Sequence, residues 1–237
     1  MEFIGYTALI DAVVVIISWA VLHTRSKKIQ PVNEKVKHLS SYLAWTVLFL
    51  ILIAYAIFKT TSPVGMMTTL LVADLVLWIS MVIFILMMYA GTKGQYRGGV
   101  IGLFLVFAAM RTIWQVAQIQ GIDTTGLGDN VNYVLSTLDQ WLMYAVWLPS
   151  ALVLLIVGLN SDSSLVRMRS MFFSIGILLI AFTWAFRFWG AGSLSQDVGY
   201  SIVAIGSVLG FVLLLMGLLY KGSNNAEIQN PNPVVTN

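Results

Sequence analysis

The chain is predicted to fold as an all-α integral membrane protein, a bundle of seven transmembrane helices with the amino terminus outside and the carboxy terminus in the cytoplasm. Three observations carry this reading. Of 237 residues, 59% are hydrophobic and 10% charged, with a mean hydropathy of +0.87, whereas soluble domains carry roughly 25% charged residues. Seven apolar segments, at about 3–23, 41–59, 65–90, 98–118, 137–158, 168–190 and 197–220, each approach the ~20 residues of a spanning helix. The basic residues are also one-sided: Arg25, Lys27, Lys28, Lys35, Lys37, Lys93, Arg97, Arg167, Arg169 and Lys221 fall on one side of the predicted membrane and Lys59 alone on the other. That bias places the basic side in the cytoplasm.

The expected organisation is one transmembrane domain over 1–222 and a disordered cytoplasmic tail over 223–237, rich in Asn and Pro. The net charge of +3 acts as a topology signal and gives no support to nucleic-acid binding. The absence of cysteine excludes disulfides, thiolate metal sites and cysteine nucleophiles. The first apolar segment is expected to be a retained helix. It carries Asp11, and its positive charges follow the apolar run instead of preceding it.

Helix 1 sets Thr7, Asp11 and Ser18 close to one face. Helix 2 contains no acid, and its Tyr42, Thr46 and Tyr55 read as packing residues. Helix 3 carries Asp74, about a third of the way along, with Trp78 one turn deeper. Helix 4 ends Met110-Arg111-Thr112-Ile113-Trp114-Gln115-Val116-Ala117-Gln118. Arg111, Gln115 and Gln118 at i, i+4 and i+7 form a polar stripe that must face the protein interior. Residues 119–136 form an acidic, glycine-rich outer loop whose spacing matches no calcium loop.

Helix 5 opens with Asp139, carries Trp141, Tyr144 and Trp147 on neighbouring turns, and has Pro149 in its interior. Helix 6 ends in an aromatic sleeve with Trp184 around Arg187. Helix 7 begins with Asp197, and its Gly206-Ser207-Val208-Leu209-Gly210 predicts a close helix contact.

Alternating helix directions bring Asp11, Asp74, Arg111, Gln115, Asp139, Arg187 and Asp197 into the same outer half of the membrane. Intramembrane charges cost at least ~2.5–3.5 kcal/mol each on insertion scales, so they pair or face water. Four aspartates against two arginines leave an excess of negative charge for a proton, a cation or a basic ligand. Two arrangements satisfy this. One is a set of Asp–Arg pairs that fix the register of the bundle. The other is a polar pocket walled by Trp78, Trp114, Trp141, Tyr144, Trp147 and Trp184, with Asp74 the acid poised to protonate.

Seven helices, an outside amino terminus and short loops are similar to the plan of microbial rhodopsins and seven-helix receptors. Every lysine lies at a helix end or in a loop, and helix 7 offers none over 202–216 for a Schiff base. No retinal is therefore expected. His23 and His38 lie near the inner edge, so no haem histidine pair is expected either.

A second resemblance covers about residues 98–160. Arg111-Thr112-Ile113-Trp114, Gln120-Gly121, and Asp139 with Met143 four residues on are similar to fungal seven-helix proteins of the lipid-translocating exporter type. That pattern has a glutamate after the aromatic, where this chain has Gln118. The resemblance implies a lipid-like ligand. Length and helix count are also similar to the small membrane-bound terpene cyclases of fungal meroterpenoid pathways, whose acids initiate cyclisation without a metal. That family's pattern needs an acid in the second helix, so Asp74 or Asp11 would have to serve.

The expected function is binding or translocation of a small amphipathic ligand, cation or proton. The alternatives are a receptor without flux, a cyclase, or a structural subunit. Expected partners are membrane lipids, a small amphipathic or cationic ligand, and a second copy or partner subunit. The plasma membrane is the favoured location.

Overall fold

The computed structural model describes residues 2–26, 34–89, 94–189 and 196–221. The tail beyond residue 221 and the side chains of Asp139, Trp184, Arg187 and Asp197 lie outside the described residues. Those residues form α1 (Glu2–Ser26), α2 (Glu34–Lys59), α3 (Pro63–Met88), α4 (Gly94–Ile119), a 3-10 turn (Thr125–Leu127), α5 (Asp129–Leu159), α6 (Ser164–Trp189) and α7 (Gln196–Leu219). They contain no strand.

Six of the helices, all but α5, are long and apolar enough to cross a membrane. Among the described residues of α5 the apolar stretch runs from Tyr144 to Leu159. Several helices start earlier than the apolar segments predict. α2 begins at Glu34, α4 at Gly94 and α6 at Ser164, because backbone hydrogen bonding continues through polar turns that hydropathy does not mark. The start of α3 has a local cause. Ser62 accepts a hydrogen bond from the Gly65 N–H at 3.0 Å and Pro63 follows as the first helical residue, a favoured beginning for a helix.

Consecutive helices pack in order and α1 closes the ring against α7. Contacts fix their directions. Tyr6 meets Phe58, Tyr42 meets Phe84, Gln115 meets Asp74 and Ser174 meets Ala151, so neighbours in sequence run antiparallel. α1 and α7 run parallel, since Asp11 meets Ser207 and Arg25 meets Leu219. The start of α1 therefore shares one end of the bundle with the end of α2 and the starts of α3 and α7. We call this the amino end.

Large apolar side chains cover the outside. On α4, the least buried of the six, Leu103, Val106, Met110 and Ile113 are exposed along one stripe. Soluble monomers rarely present so much contiguous apolar surface.

The basic residues at the other end terminate helices as well as setting charge. Arg25 donates to the carbonyls of Leu218 and, at 3.2 Å, Leu219. Arg169 donates to the carbonyl of Tyr220 from Nε at 3.1 Å and from Nη2 at 2.8 Å. Two arginines from α1 and α6 thus satisfy the last carbonyls of α7, where the helix dipole also favours positive charge.

The close contact expected from Gly206 and Gly210 lies between α7 and α6. A Cβ on Gly210 would stand 2.9 Å from the Gly176 carbonyl oxygen, and one on Gly176 would stand 2.8 Å from that of Gly210. The backbones touch, so no methyl fits without parting the helices. Gly210→Val is expected to cost about 1–3 kcal/mol and to lower the melting temperature of the purified protein. Gly98→Ala, where nothing lies within 4 Å, is expected to leave it unchanged or raise it. Equal melting temperatures for the two variants would contradict this packing.

Candidate functional site

The helix ring encloses a cavity of about 310 Å³ to which all seven α-helices contribute. α2 supplies the longest stripe, Tyr42, Thr46, Phe49, Leu50, Ile53 and Ile57, spaced so that one helical face looks inward. α3 adds Met66, Leu70, Asp74, Leu77 and Met81. Ile4, Ile57 and Met66 bring the cavity within one helical turn of the amino end. Between Ile57 and Tyr42 it follows α2 for roughly 22 Å at 1.5 Å per residue, so it is elongated along the bundle.

Four of the expected charged and polar residues meet in this wall: Asp11, Asp74, Arg111 and Gln115. Counting along their helices from the amino end puts Asp11 at about 14 Å, Asp74 at about 17 Å and Arg111 at about 12 Å. Gln115 donates from Nε2 to Asp74 Oδ2. The Arg111 guanidinium stacks on the Trp114 ring, 4.9 Å from its centroid. On the opposite side of the ring Ser207 donates to Asp11 Oδ2 at 2.7 Å. Asp11 is the more deeply buried acid, only 3% exposed, while Asp74 is half-buried. Asp11 Oδ1 and Gln115 Oε1 are buried without a hydrogen-bond partner.

The aromatic wall differs from expectation. Trp147 lines the cavity. Trp78 is buried but turns toward α4, edge-on to Phe104 with centroids 5.9 Å apart. Trp114 lies under Arg111 outside the lining, and Tyr144 packs half-buried against the core. Trp141 is 57% exposed and faces away from the bundle. Six residues separate it from Trp147, about 240° around a helix, so the two share neighbouring turns but not a face. Phe49, Phe211 and Tyr42 supply the remaining aromatic surface.

Three contributors lie outside the expected set. Ser207, read only as part of a small-residue contact, is the donor to Asp11. Tyr42 and Thr46 make α2 a site helix. Thr46 Oγ1 lies 3.2 Å from Ser80 Oγ, a fully buried hydroxyl on α3. The spacing from Tyr42 to Ile57 was the available signal, since the lining recurs at i, i+4, i+7, i+8, i+11 and i+15.

The loop expected over 119–136 is shorter in the structure, because α5 begins at Asp129, and the remaining connection over 120–128 is tied by local hydrogen bonds. Asp123 Oδ1 accepts from Thr125 Oγ1 at 2.6 Å and from Thr125 N at 2.8 Å, and these bonds hold its carboxyl below the ordinary value of 3.8. Asn132 Nδ2 donates to the Thr124 carbonyl at 2.8 Å. Gly128, with φ 78° and ψ 147°, occupies backbone space open essentially to glycine and turns the chain into α5.

No family model, no curated protein and no solved structure matches this chain. The likenesses in the Arg111–Trp114 stretch therefore carry no family assignment.

The Asp74–Gln115 contact makes the site testable. Gln115→Leu leaves the Asp74 carboxylate short of a donor, and the expected cost is about 1–3 kcal/mol. Asp74→Asn combined with Gln115→Leu should cost less than the two single changes added together. Strict additivity in a thermal-unfolding double-mutant cycle would show that the two residues are uncoupled.

Proposed function

We propose that this chain is a seven-span integral membrane protein, amino end outward, that binds a small amphipathic ligand in its central cavity. One observation carries the reading: a single elongated cavity, drawn from every helix, combines an apolar lining with Asp11, Asp74, Arg111 and Gln115 at its middle. Purely structural ion pairs would require no enclosed space. At about 310 Å³ the cavity falls within the usual range of small-molecule sites, ~300–1,000 Å³, which are mostly apolar with a few placed polar groups. It is also about twice the ~150 Å³ engineered void that holds benzene.

The orientation follows from the positive-inside bias. With α5 counted as a span, the basic ends of α1, α6 and α7 lie in the cytoplasm and the cavity reaches toward the outside. An amphiphile would place its apolar part among Leu70, Met66, Ile53 and Ile57 and its polar part at the carboxylates. A cyclase would use the same acids, so product analysis with a prenylated substrate distinguishes catalysis from binding.

Native mass spectrometry of gently extracted protein tests the reading. Wild type is expected to carry a bound small molecule beyond annular lipid, and Leu70→Trp, which fills the cavity, is expected to lose most of it. A bare wild type, or equal loading of wild type and variant, would contradict a cavity ligand.

A further inference from the structure

We propose that the cavity ligand is a monovalent organic ammonium with an apolar tail, its N–H donors held by Asp11. This rests on the cavity reading above and names the ligand's chemical class.

Three features of the wall lead to it. Among the described residues the charged groups lining the cavity are Asp11, Asp74 and Arg111, two carboxylates and one guanidinium, a formal charge of −1. A monocation balances it. The two carboxylates also differ in their surroundings. Asp74 accepts from Gln115 one helix away from Arg111. Asp11 receives only the Ser207 hydroxyl on Oδ2, and its Oδ1 is buried without a partner in a residue 97% enclosed. A buried carboxylate oxygen without a donor is costly, and it selects a ligand that brings one.

The third feature is Gln115. Because the Asp74 carboxylate accepts and does not donate, the group that Gln115 turns to it must be its NH₂. Its carbonyl oxygen, buried and without a partner, is then a second acceptor in the same wall. Both unmatched atoms ask for a donor. A carboxylate or phosphate headgroup brings no donor to either, although the Arg111 guanidinium, stacked on Trp114, lines the same cavity.

An inorganic cation fits less well. Sodium- or calcium-like ions require a shell of several oxygens, whereas most of this lining is Ile, Leu, Met, Phe, Ala, Val and Trp. The apolar stretch from Leu70 and Ile53 to Ile4 leads from Asp11 to the amino end, which matches a tail trailing from a buried head.

The test compares tail-matched probes on the full chain in nanodiscs of neutral phosphatidylcholine, with affinity read by calorimetry. Octylammonium is expected to bind at least about tenfold more tightly than octanol or octyltrimethylammonium, a difference of ~1.4 kcal/mol. Octanoate should bind weakest. Asp11→Asn is expected to abolish the octylammonium preference while leaving octanol binding in place. If Asp11→Asn does not fold, the contrast on wild type between octylammonium and octyltrimethylammonium, which has no N–H, still decides.

Equal affinity for octylammonium and octanol on wild type would overturn the ammonium assignment while leaving the cavity intact. So would stabilisation by sodium chloride, absent with choline chloride, that matches octylammonium. Failure of every probe to bind, together with a bare protein in mass spectrometry, would overturn the cavity reading itself.

Discussion

An ionisable group inside an apolar bundle has to find its partners on other helices, and the arrangement of this protein follows from that requirement. Asp11 and Asp74 sit on α1 and α3; α3 carries no base, and those of α1, His23 and Arg25, lie in its last turn, at least about three turns from Asp11. Asp74 is met from α4 by Gln115, and Asp11 from α7 by Ser207. The first contact ties sequence neighbours. The second joins the two ends of the chain and closes the ring, so the polar contacts that satisfy the acids also define the space between them. Around that space Ala12, Val15, Met81 and Ile85 are almost fully enclosed, which keeps the carboxylates in surroundings of low polarity where a missing donor is costly.

Two other devices hold the ring. In the middle of the bundle α6 and α7 touch backbone to backbone at Gly176 and Gly210, a contact set by shape alone. At the opposite end Arg25 and Arg169 reach the terminal carbonyls of α7. A residue type counted as a topology signal thus serves also as a helix terminator, which couples the placement of α7 to the basic face of the bundle.

Much of this was legible in the chain before any coordinates. Composition and segment length predicted helices only, and small-residue spacing at Gly206 and Gly210 predicted a close helix contact, though not that its partner is α6. The i, i+4 spacing of Arg111 and Gln115 predicted an inward stripe. The failures have physical causes. Apolar windows mark the hydrophobic length of a helix and not its hydrogen-bonded ends, so α2, α4 and α6 start several residues early. Tryptophans on neighbouring turns read as one wall in the sequence, but Trp141 and Trp147 differ by about 240°. Hydroxyl residues such as Ser207, Thr46 and Tyr42 are cheap to bury when they bond their own helix, so their part in the cavity leaves no mark in hydropathy and emerges only once the neighbouring helix is in place.

The closed ring depends most on α1 meeting α7 at the level of Asp11 and Ser207. The chain contains no cysteine, so a pair introduced as Asp11→Cys and Ser207→Cys can be oxidised in the membrane without competing thiols. The prediction is an intramolecular disulfide in the full chain, identified by peptide mapping, while Asp11→Cys paired with Gly98→Cys on α4, a helix that does not touch α1, remains reduced. A 11/207 pair that crosslinks only between molecules, or an 11/98 pair that crosslinks within one, would contradict the closed ring and the cavity it encloses.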